Sequence, residues 1–490
     1  MPDIDFNIRA GNTLVGFATY AEAERAITSK LDFDNAMTRI EQKAQEVERA
    51  FHDFRAMQTA INVDPELIAE KKQQVRFQLS ALNDELDRYL ASEYGIDRSN
   101  IKDMQAYARE FAGWKQSHQP FHWFVEFYGI MQKGGFDVII GNPPWKEYSS
   151  VRKIYTLRNY VTEGSGNLHG MCTERALSLR SFKGCMSYIV QLPLVGSSRM
   201  SSVRALLRNQ SSSLYIIPFD DRPGKLFEGL EHCRSVIFVS IGSCNMNTLT
   251  IRTTHYQRWP TQAREFLFSL LAYSKPLQKE VYPDIFPKYS SPLAESVITK
   301  LNGKEIADFE APENEHPIYV HRIIGYFIKA VDFIPYFWNE AEGQKKSEDY
   351  KPFYFESEVR SAILAVLNSS LFYWFWLAHG DAFHCGYKDV RAFKLGNIQE
   401  FNDLSMLQSL GQELMLDLKK NATRKVVISK ATGRVEYDEF NPGMSFKIIS
   451  AIDSVLARHH GFTDEELDFI INYDIKYRMG HGDEDEGEED

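Results

Sequence analysis

The sequence of 490 residues has only five cysteines, which are scattered along it: Cys172, Cys185, Cys233, Cys244 and Cys385. They form no CxxC pair, which excludes a zinc knuckle and a disulfide framework. The first residues, Met1 to Asp5, lack the basic and then apolar order of a signal peptide. The most apolar stretch, Ile363 to Leu377, is broken by Asn368-Ser369-Ser370. We therefore expect a soluble, cytoplasmic protein with no membrane-spanning segment.

Acidic residues outnumber basic ones, and the excess is concentrated at one end. The net charge is −11, but seven of the last eight residues are acidic, and without them the rest of the chain carries −4. Nucleic-acid binding depends on where Lys and Arg cluster rather than on the total, so the charge neither predicts nor excludes a DNA partner. Residues 481–490 have no apolar side chain to bury, and we expect this acidic tail to be disordered.

The first third of the chain contains a helical pattern. Apolar residues recur every three or four positions from Met37 to Phe54 and again from Val75 to Tyr89. Asp64-Pro65 combines an N-cap residue with proline at the first helical position, and so marks the start of the second helix. Two long helices joined by a short link fold back on each other most simply. We predict an antiparallel helical hairpin over residues 21–110.

The predicted hairpin is inserted into a domain of α/β type. Residues 1–20 are predicted to form a strand and a turn, which begin this domain. The domain resumes after the hairpin, over residues 111–249. A short run of apolar, β-branched residues at 136–140 is typical of a buried parallel strand. A helix is predicted over 173–179, and three further strands are predicted at 186–192, 214–218 and 235–240. Binding and catalytic sites in such a sheet form at the carboxyl ends of the strands.

Two further regions follow the sheet. Residues 250–400 are rich in aromatic and basic side chains and read as a separate module of mixed α/β structure. Within it, residues 362–376 are apolar on all sides and predict a buried core helix. Residues 401–480 read as helical, with helices near 404–420, 444–459 and 464–471.

The candidate catalytic segment is the loop that follows the strand predicted at 136–140. Its residues are Asn142-Pro143-Pro144-Trp145. Two consecutive prolines fix φ and remove their N–H groups, so the loop is stiff. The Asn142 side-chain oxygen and the Pro143 carbonyl can accept both hydrogens of a planar amino group, while Trp145 offers a stacking face. Two acceptors stabilise the positive charge that develops when such a nitrogen attacks an electrophilic carbon. No strong base is needed, and a base in a duplex would first be flipped out.

The same residue types also occur for structural reasons. Asn-Pro-Pro is also common in turns, and tryptophan side chains more often pack in a hydrophobic core than take part in catalysis. The strand before the loop and the helix-strand unit after it favour the catalytic interpretation. Four potential metal ligands, His379, Asp381, His384 and Cys385, match no standard spacing, and we predict no metal.

The run Phe136 to Trp145 resembles the catalytic motif of S-adenosylmethionine-dependent, amino-group DNA methyltransferases. The wider chain is similar to the methylase of type IIG restriction-modification enzymes, through Asp5 to Leu14 near the start and Gly461 to Asp474 near the end. The resemblance implies a partial Rossmann-like sheet, S-adenosylmethionine as the cofactor, double-stranded DNA as the partner and methylation of adenine N6. It also implies that residues 250–400 are the target-recognition domain, whose basic residues contact phosphates or base edges.

The resemblance assigns roles to individual positions. Asn142 and Pro143 inherit the amine-holding role, and Trp145 inherits the stacking role. Phe227 matches an aromatic residue that faces the flipped base from the side opposite the catalytic loop, although a core phenylalanine is the alternative. Asn12 lies where the family has a polar residue that contacts the adenine of the cofactor, although a turn asparagine is the alternative.

The sequence departs from the family in one respect. The family has a glycine-rich cofactor loop and an acidic residue for the ribose, both ahead of a segment like Asp5 to Leu14, and these 490 residues contain neither. Gly164-Ser165-Gly166 follows the catalytic loop and is interpreted as an ordinary loop. The nuclease domain of a fused enzyme is missing as well. We expect the carboxyl-terminal two thirds of a methylase that binds cofactor poorly alone. It is either completed by a separate N-terminal polypeptide or a nuclease subunit, or left incomplete.

The sequence thus predicts an α/β fold: a partial Rossmann-like methyltransferase sheet, an inserted helical hairpin and a C-terminal target-recognition module. The favoured function is an adenine-N6 DNA methyltransferase component of a restriction-modification or phage-defence system. The alternative is a catalytically silent DNA-binding specificity subunit. Methylation of a protein side-chain amide at the same motif is least favoured, because such enzymes are far shorter and have no specificity module.

Overall fold

The computed structural model describes residues 6–28, 36–60, 64–227, 233–243, 249–275, 284–398 and 401–480. The chain divides into two compact units. The first comprises Met1–Leu194, Ser198–Ile216 and Val236–Ile251, and the second comprises Val195–Ser197, Ile217–Ser235 and Arg252–Asp490. The predicted acidic tail at 481–490 lies outside the described residues.

Helices dominate the chain as far as the first strand, and helices and strands alternate after it. The elements up to residue 253 are α1 (Tyr20–Thr28), α2 (Ala36–Thr59), α3 (Pro65–Glu93), α4 (Met104–His118), α5 (Trp123–Glu126), α6 (Tyr128–Met131), β1 (Phe136–Gly141), α7 (Tyr148–Val151), α8 (Leu168–Leu179), β2 (Arg180–Gln191), α9 (Ser201–Asn209), β3 (Ser213–Phe219), β4 (Ser235–Ile241) and β5 (Thr250–Thr253).

Short strands and helices make up the rest of the described chain. They are α10 (Pro292–Lys300), β6 (Ile318–His321), β7 (Ala330–Val331), β8 (Phe337–Asn339), β9 (Gly343–Gln344), β10 (Tyr350–Phe353), α11 (Ser357–Leu367), α12 (Ser370–His379), α13 (Tyr387–Arg391), α14 (Leu404–Lys420), β11 (Thr423–Ser429), β12 (Gly433–Glu439), α15 (Phe446–His460), α16 (Asp464–Ile471) and α17 (Ile475–Arg478).

Helices α2 and α3 pack against each other in opposite directions. Arg39, near the start of α2, pairs with Glu85 near the end of α3 at 3.0 Å. Phe54, near the end of α2, shares a buried apolar cluster with Val75 near the start of α3. The apolar stripes at three- and four-residue spacing face each other along this seam, which is why the two helices fold as a pair.

The start of α3 confirms the predicted cap. The Asp64 carboxylate accepts the backbone N–H of Glu66 at 2.9 Å, and Pro65 occupies the first turn of the helix. Proline is tolerated there because the N–H it lacks would have no partner within the helix.

A buried polar contact ties α3 to the N-terminal segment. The imidazole of His122 joins Asp87, on α3, through Nε2 at 3.0 Å, and its Nδ1 accepts the backbone N–H of Phe17 at 3.2 Å. Because Nδ1 is the acceptor, Nε2 carries the proton and donates to the carboxylate. Both side chains are almost fully buried, so the contact fixes the helix against the loop that contains Phe17.

The five-stranded sheet has the order β1-β2-β4-β3-β5. Strands β1 and β2 are parallel, with Ile139 opposite Met186. The N–H of Gly242, after β4, donates to the carbonyl of Gly184 near the start of β2, at 2.9 Å. Since the end of β4 lies beside the beginning of β2, these two strands run antiparallel. The sheet therefore mixes parallel and antiparallel strands.

The prediction that the first strand is buried is wrong. Val138 is 67% exposed and Ile140 is 81% exposed, because β1 lies at an edge of the sheet and one of its faces is open. Apolar, β-branched residues are typical of a strand that is covered on both faces. They do not predict which other segments of the protein lie against those faces.

Three other expectations are corrected. Residues 6–8, in the segment 1–20 that is predicted to contain a strand, form a turn and a bend. The apolar stretch at 362–376 is buried as predicted but consists of two helices, α11 and α12, which meet at 70°. Asn368-Ser369 ends α11, and Ser369 caps α12 by accepting the N–H of Phe372. The region after residue 401 contains the hairpin β11-β12 as well as the predicted helices.

The described residues include no single helix that is long and apolar enough to cross a membrane. Helices α11 and α12 reach that apolar length only when they are taken together, and both are largely buried inside the second unit.

The segment Gly461 to Asp474 ends in a buried ionic cluster of the second unit. Arg258 contacts Asp220 at 2.5 Å and Asp474 at 2.7 Å, and Arg234 contacts Asp220 at 3.1 Å. Burial alone would raise the pKa of Asp220, but the two guanidinium groups outweigh it and lower that pKa. The cluster holds the end of α16 against the core of its unit.

Candidate active site

The loop from Asn142 to Trp145 follows β1 at its carboxyl end. Pro143 is buried and Trp145 is partly exposed, while Asn142 and Pro144 are exposed. The carboxamide of Asn142 is therefore accessible to a ligand. The rest of the loop is anchored to the protein through Pro143 and Trp145.

Trp145 is held by the neighbouring strand. Its indole Nε1–H donates to the backbone carbonyl of Ile189, on β2, at 3.2 Å. A tryptophan with its polar edge fixed in this way has a defined ring plane, which is what a stacking surface requires. The sequence suggests Trp145 as a stacking residue but does not predict that the Ile189 carbonyl accepts its N–H. The register of β1 against β2 decides which carbonyl lies within reach of the indole.

Backbone pairing fixes the far end of the loop. The N–H of Leu168 donates to the carbonyl of Lys146 at 2.9 Å, and the N–H of Tyr148 donates to the carbonyl of Gly166 at 2.8 Å. The two segments form an antiparallel bridge between these bonds. The stretch Gly164 to Gly166 lies in and directly after a short 3₁₀ helix, Glu163–Ser165, and its backbone pairs with the segment that follows Trp145.

Gly166 is required at its position. It has a φ of 68°, in the left-handed region that favours glycine, and a Cβ there would lie 2.1 Å from the guanidinium of Arg199. That guanidinium contacts the Glu147 carboxylate at 2.9 Å. Both side chains of this pair are more than half exposed, so we expect it to add little stability.

Asn167 connects the loop to two elements, and the sequence analysis did not single it out. Its side-chain oxygen accepts the N–H of His169 at 3.2 Å and caps α8, and its Nδ2 donates to the Gln191 side chain at 3.0 Å. Gln191 is the last residue of β2. An asparagine just before an apolar helical run is an N-cap signal, which would have found the first contact but not the second.

We predict that Asn167→Ala costs about 1 kcal/mol of unfolding free energy, the usual value for a lost N-cap. The same change should speed hydrogen exchange of the loop amides from Trp145 to Tyr148. The matched control is Asp64→Ala, which removes the cap of α3. Denaturant unfolding should show similar losses for both variants, and only the first should change exchange in the loop. Equal loop exchange in both variants would contradict the role of Asn167.

His169 is a buried imidazole directly after this cap. It has no accessible surface, and neither ring nitrogen has a hydrogen-bond partner among the residues that the structure describes. Burial disfavours the charged form and lowers the pKa of His169 to about 4. The side chain is therefore neutral in the folded protein at physiological pH.

This pKa shift predicts how stability depends on pH. The unfolded chain binds a proton at His169 near pH 6.5 and the folded chain only near pH 4, so stability is lost as the pH falls through this interval. The full effect is about 3 kcal/mol. Above pH 7 the difference in unfolding free energy between wild type and His169→Leu should therefore be constant. Between pH 6.5 and pH 4 the unfolding free energy of the wild type should fall relative to that of His169→Leu. A pH-independent difference in urea unfolding would contradict the assignment.

Asn12 lies in a turn of the first unit. Its side-chain oxygen accepts the N–H of Leu14 at 3.1 Å, and its own N–H donates to the carbonyl of Gln119 at 2.8 Å. It is partly exposed. The turn role weighed in the sequence analysis is thus present, and the second lone pair of the side-chain oxygen is not used by this bond.

Arg175, on α8, connects the Asn12 turn to the sheet side of the unit. Its guanidinium donates to the carbonyl of Gly16, the carboxylate of Glu22 and the hydroxyl of Tyr160, each at 3.1 Å. The same residues line a cavity of about 400 Å³. Burial raises the pKa of Tyr160, so its hydroxyl stays protonated and donates to the carbonyl of Leu14 at 2.8 Å.

The remaining predicted residue, Phe227, is partly exposed and belongs to the second unit, whereas Asn142 belongs to the first. Of the potential metal ligands, Cys385 is fully buried, and Asp381 accepts the backbone N–H groups of Phe383 and His384 in a turn. The structure thus keeps Asn142 to Trp145 together, joins Trp145 to Ile189, and pairs the segment directly after the loop with Gly166 to Leu168.

Residues 29–224 match the Eco57I restriction-modification methylase family. A protein of Methanocaldococcus jannaschii, described as a type II restriction enzyme and methyltransferase, is 26% identical over 252 residues. The match covers 45% of this chain and 21% of that protein, so the chain spans about a fifth of its relative's length.

Solved structures align with this chain only at low TM-scores. A nuclease-deletion mutant of the Type ISP restriction-modification enzyme LlaGI, in complex with a DNA substrate mimic, has a TM-score of 0.32 and 9% identity, covering 66% of this chain and 41% of that one. A class I S-adenosylmethionine-dependent methyltransferase from Listeria monocytogenes has a TM-score of 0.20 and 15% identity, covering 28% and 40%. At these TM-scores neither likeness bears on the fold or the activity. The residues that match the Eco57I restriction-modification methylase family, 29–224, include the loop from Asn142 to Trp145.

Proposed function

We propose that this chain is the catalytic component of a site-specific DNA adenine-N6 methyltransferase, of the type IIG kind, within a restriction-modification or phage-defence system. The observation that carries the proposal is the exposed carboxamide of Asn142 on a proline-stiffened loop at the carboxyl end of β1. An accessible amide in this position is available to a substrate, whereas a buried one would serve the fold only.

The loop acts by accepting hydrogen bonds and by stacking. The Asn142 Oδ1 and the Pro143 carbonyl accept the two hydrogens of the adenine amino group, which favours a pyramidal nitrogen and stabilises its developing positive charge. Trp145, with its N–H fixed by Ile189, stacks on the flipped base and offsets part of the cost of removing it from the duplex. Pro144 keeps the loop stiff.

The described residues fit the amine-binding part of this site better than the cofactor-binding part. S-Adenosylmethionine, when bound, supplies the electrophilic methyl group. Asn12 would contact the adenine of that cofactor through the free lone pair of its side-chain oxygen, and Phe227 would cover the flipped base from the side opposite Trp145. The basic residues of the module at 250–400 would bind double-stranded DNA.

Transfer of a labelled methyl group separates this proposal from a silent DNA-binding subunit. The chain is purified alone and with any polypeptide that is encoded directly upstream, and each preparation is incubated with plasmid DNA and S-adenosylmethionine labelled in the methyl group. We expect label in the DNA. DNA binding without any transferred label would overturn the proposed activity and favour the silent specificity subunit.

A further inference from the structure

The loop that leads to Phe227, residues 220–227, begins at a fixed point of the second unit. The N–H of Asp220, its first residue, donates to the carbonyl of Gln257 at 2.9 Å, and the N–H of Gln257 donates to the carbonyl of Pro218 at 3.0 Å. The loop therefore starts beside the segment that begins at Gln257. We call that segment, residues 257–268, the supporting segment.

The supporting segment is attached to the end of β3 at two points. The rings of Trp259 and Phe268 contact the ring of Phe219, the last residue of β3, at 5.6 Å and 6.2 Å between centroids. Phe219 is fully buried and Trp259 is 5% exposed. Between these two contacts the chain forms a short 3₁₀ helix, Thr261–Phe266. The backbone of this helix is thus held against the end of β3.

Arg264, on this 3₁₀ helix, reaches the loop just before Phe227. Its Nη1 donates to the carbonyl of Lys225 at 3.0 Å, and its Nη2 donates to the carbonyl of Leu226 at 2.6 Å. A guanidinium group is planar and presents its N–H donors in a rigid fork, so it holds two acceptors in one defined geometry. The two peptide groups that precede Phe227 are therefore fixed together.

The middle of the loop packs directly on the supporting segment. Gly224 is buried, and a Cβ there would lie 2.6 Å from both the indole nitrogen and the carbonyl oxygen of Trp259. Only glycine permits so close an approach of the backbone. The loop is thus held at its start, at its middle and at its last two carbonyls, whereas the side chain of Phe227 is partly exposed.

The two bonds of Arg264 matter for geometry more than for stability. Arg264 is exposed, and Lys225 and Leu226 are partly exposed. Carbonyl groups in such a position can bond to water instead, so exchanging water for the guanidinium changes the free energy of unfolding little. The bonds do fix the direction in which the chain enters Phe227. An aromatic side chain that is placed before its ligand arrives loses less conformational entropy on binding.

We propose that Arg264 is a positioning residue of the methyltransferase, which holds Phe227 where its ring covers the flipped adenine. The proposal rests on the proposed function, because it requires the role proposed there for Phe227. Arg264 acts through the loop and not through the DNA phosphates. Its loss should therefore lower kcat and leave the KM for DNA unchanged.

A double-mutant cycle tests this coupling in the preparation that transfers methyl groups to plasmid DNA. Phe227→Leu should lower kcat about tenfold, a usual effect of losing one base–aromatic stack. Arg264→Gln should lower kcat about threefold to tenfold, with the KM for DNA unchanged within about twofold. The double variant should be no slower than Phe227→Leu, because Arg264 then has no ring to position.

Two further variants separate positioning from charge. Arg264→Lys keeps the positive charge but loses the planar fork, so it should not restore the rate. Arg434→Gln is the matched control. Arg434 belongs to the same unit, its side chain is 55% exposed, and it contacts Glu436 on its own strand at 2.7 Å. This substitution should leave both kcat and KM unchanged.

Limited proteolysis reports on the loop without any need for activity. Trypsin cleaves after lysine, and the peptide bond between Lys225 and Leu226 contains one of the two carbonyls that Arg264 holds. We expect cleavage at this bond to be about threefold faster or more in Arg264→Gln, because local opening of the loop becomes easier. Arg434→Gln should be cleaved there at the wild-type rate.

Several results would overturn the proposal: an undiminished kcat in Phe227→Leu or Arg264→Gln, additive losses in the double variant, a full rate with Arg264→Lys, or unchanged cleavage after Lys225. Failure of the proposed function gives a different result. If the wild type transfers no methyl group although Arg264→Gln speeds the cleavage, Arg264 only holds the loop, and both the activity and the positioning role are overturned. Methyl transfer that depends on Phe227 but not on Arg264 would retain the activity and remove the positioning role alone.

Discussion

Asn142→Ala is expected to reduce the rate of methyl transfer to DNA by about 100-fold to 1000-fold, the usual effect of removing one preorganised hydrogen-bonding group that acts in the transition state. The Pro143 carbonyl remains, so one acceptor is left for two amino hydrogens. Because the Asn142 side chain is exposed, the variant should fold normally. Single-turnover rates with the chain and its upstream polypeptide measure the effect.

Binding of DNA should be retained in this variant. The interaction strengthens as charge develops on nitrogen, so kcat should fall while the KM for DNA stays within about threefold. The control is Asn100→Ala, which removes another exposed asparagine far from the loop in sequence and should leave both constants unchanged. An Asn142→Ala enzyme with an undiminished rate would remove this residue from the mechanism.

Arg258→Met is expected to lower the unfolding free energy of the second unit by about 3–5 kcal/mol, the usual cost of removing one partner of a buried ion pair. The side chains of Arg258 and Asp220 are 5% and 3% exposed, so Asp220 loses one of its two guanidinium partners without gaining access to water. Asp474 loses its contact as well. Urea unfolding followed by circular dichroism measures the change.

A surface pair is the control for this substitution. Arg322 contacts Asp349 at 2.7 Å, but the two side chains are 46% and 39% exposed, so Arg322→Met should cost less than about 1 kcal/mol. Adding Asp220→Asn to Arg258→Met should recover part of the loss, because it removes the uncompensated charge. Similar losses for Arg258→Met and Arg322→Met would show that the buried cluster does not stabilise the unit.

Local patterns predict the helices well. The cap at Asp64 and Pro65 starts α3 as expected, and the helix predicted near 464–471 is found as Asp464–Ile471. Such signals act within one turn of the chain, where the sequence holds all the relevant information. Strands β3 and β4 also lie where the apolar runs predict them, at Ser213–Phe219 and Ser235–Ile241.

Longer-range features could not be read in this way. The exposure of Ile140 depends on which segments lie beside β1, and the contact of Trp145 with Ile189 depends on strand register. Residues 362–376 form two helices because Ser369 caps the second, and the polar break at Asn368-Ser369-Ser370 does not by itself distinguish a bend between two helices from a polar patch on one helix. For the same reason the sequence identifies the loop from Asn142 to Trp145 but not the contact of Asn167 with Gln191 at the end of β2.

The most direct test of the account is the identity of the modified base. DNA from cells that produce the chain with its upstream polypeptide is digested to nucleosides, and the methylated nucleosides are quantified by mass spectrometry. The host must have no DNA methylases of its own. We expect N6-methyladenine with the wild-type chain and its loss with Asn142→Ala. Methylated cytosine, or N6-methyladenine that persists in the variant, would contradict it.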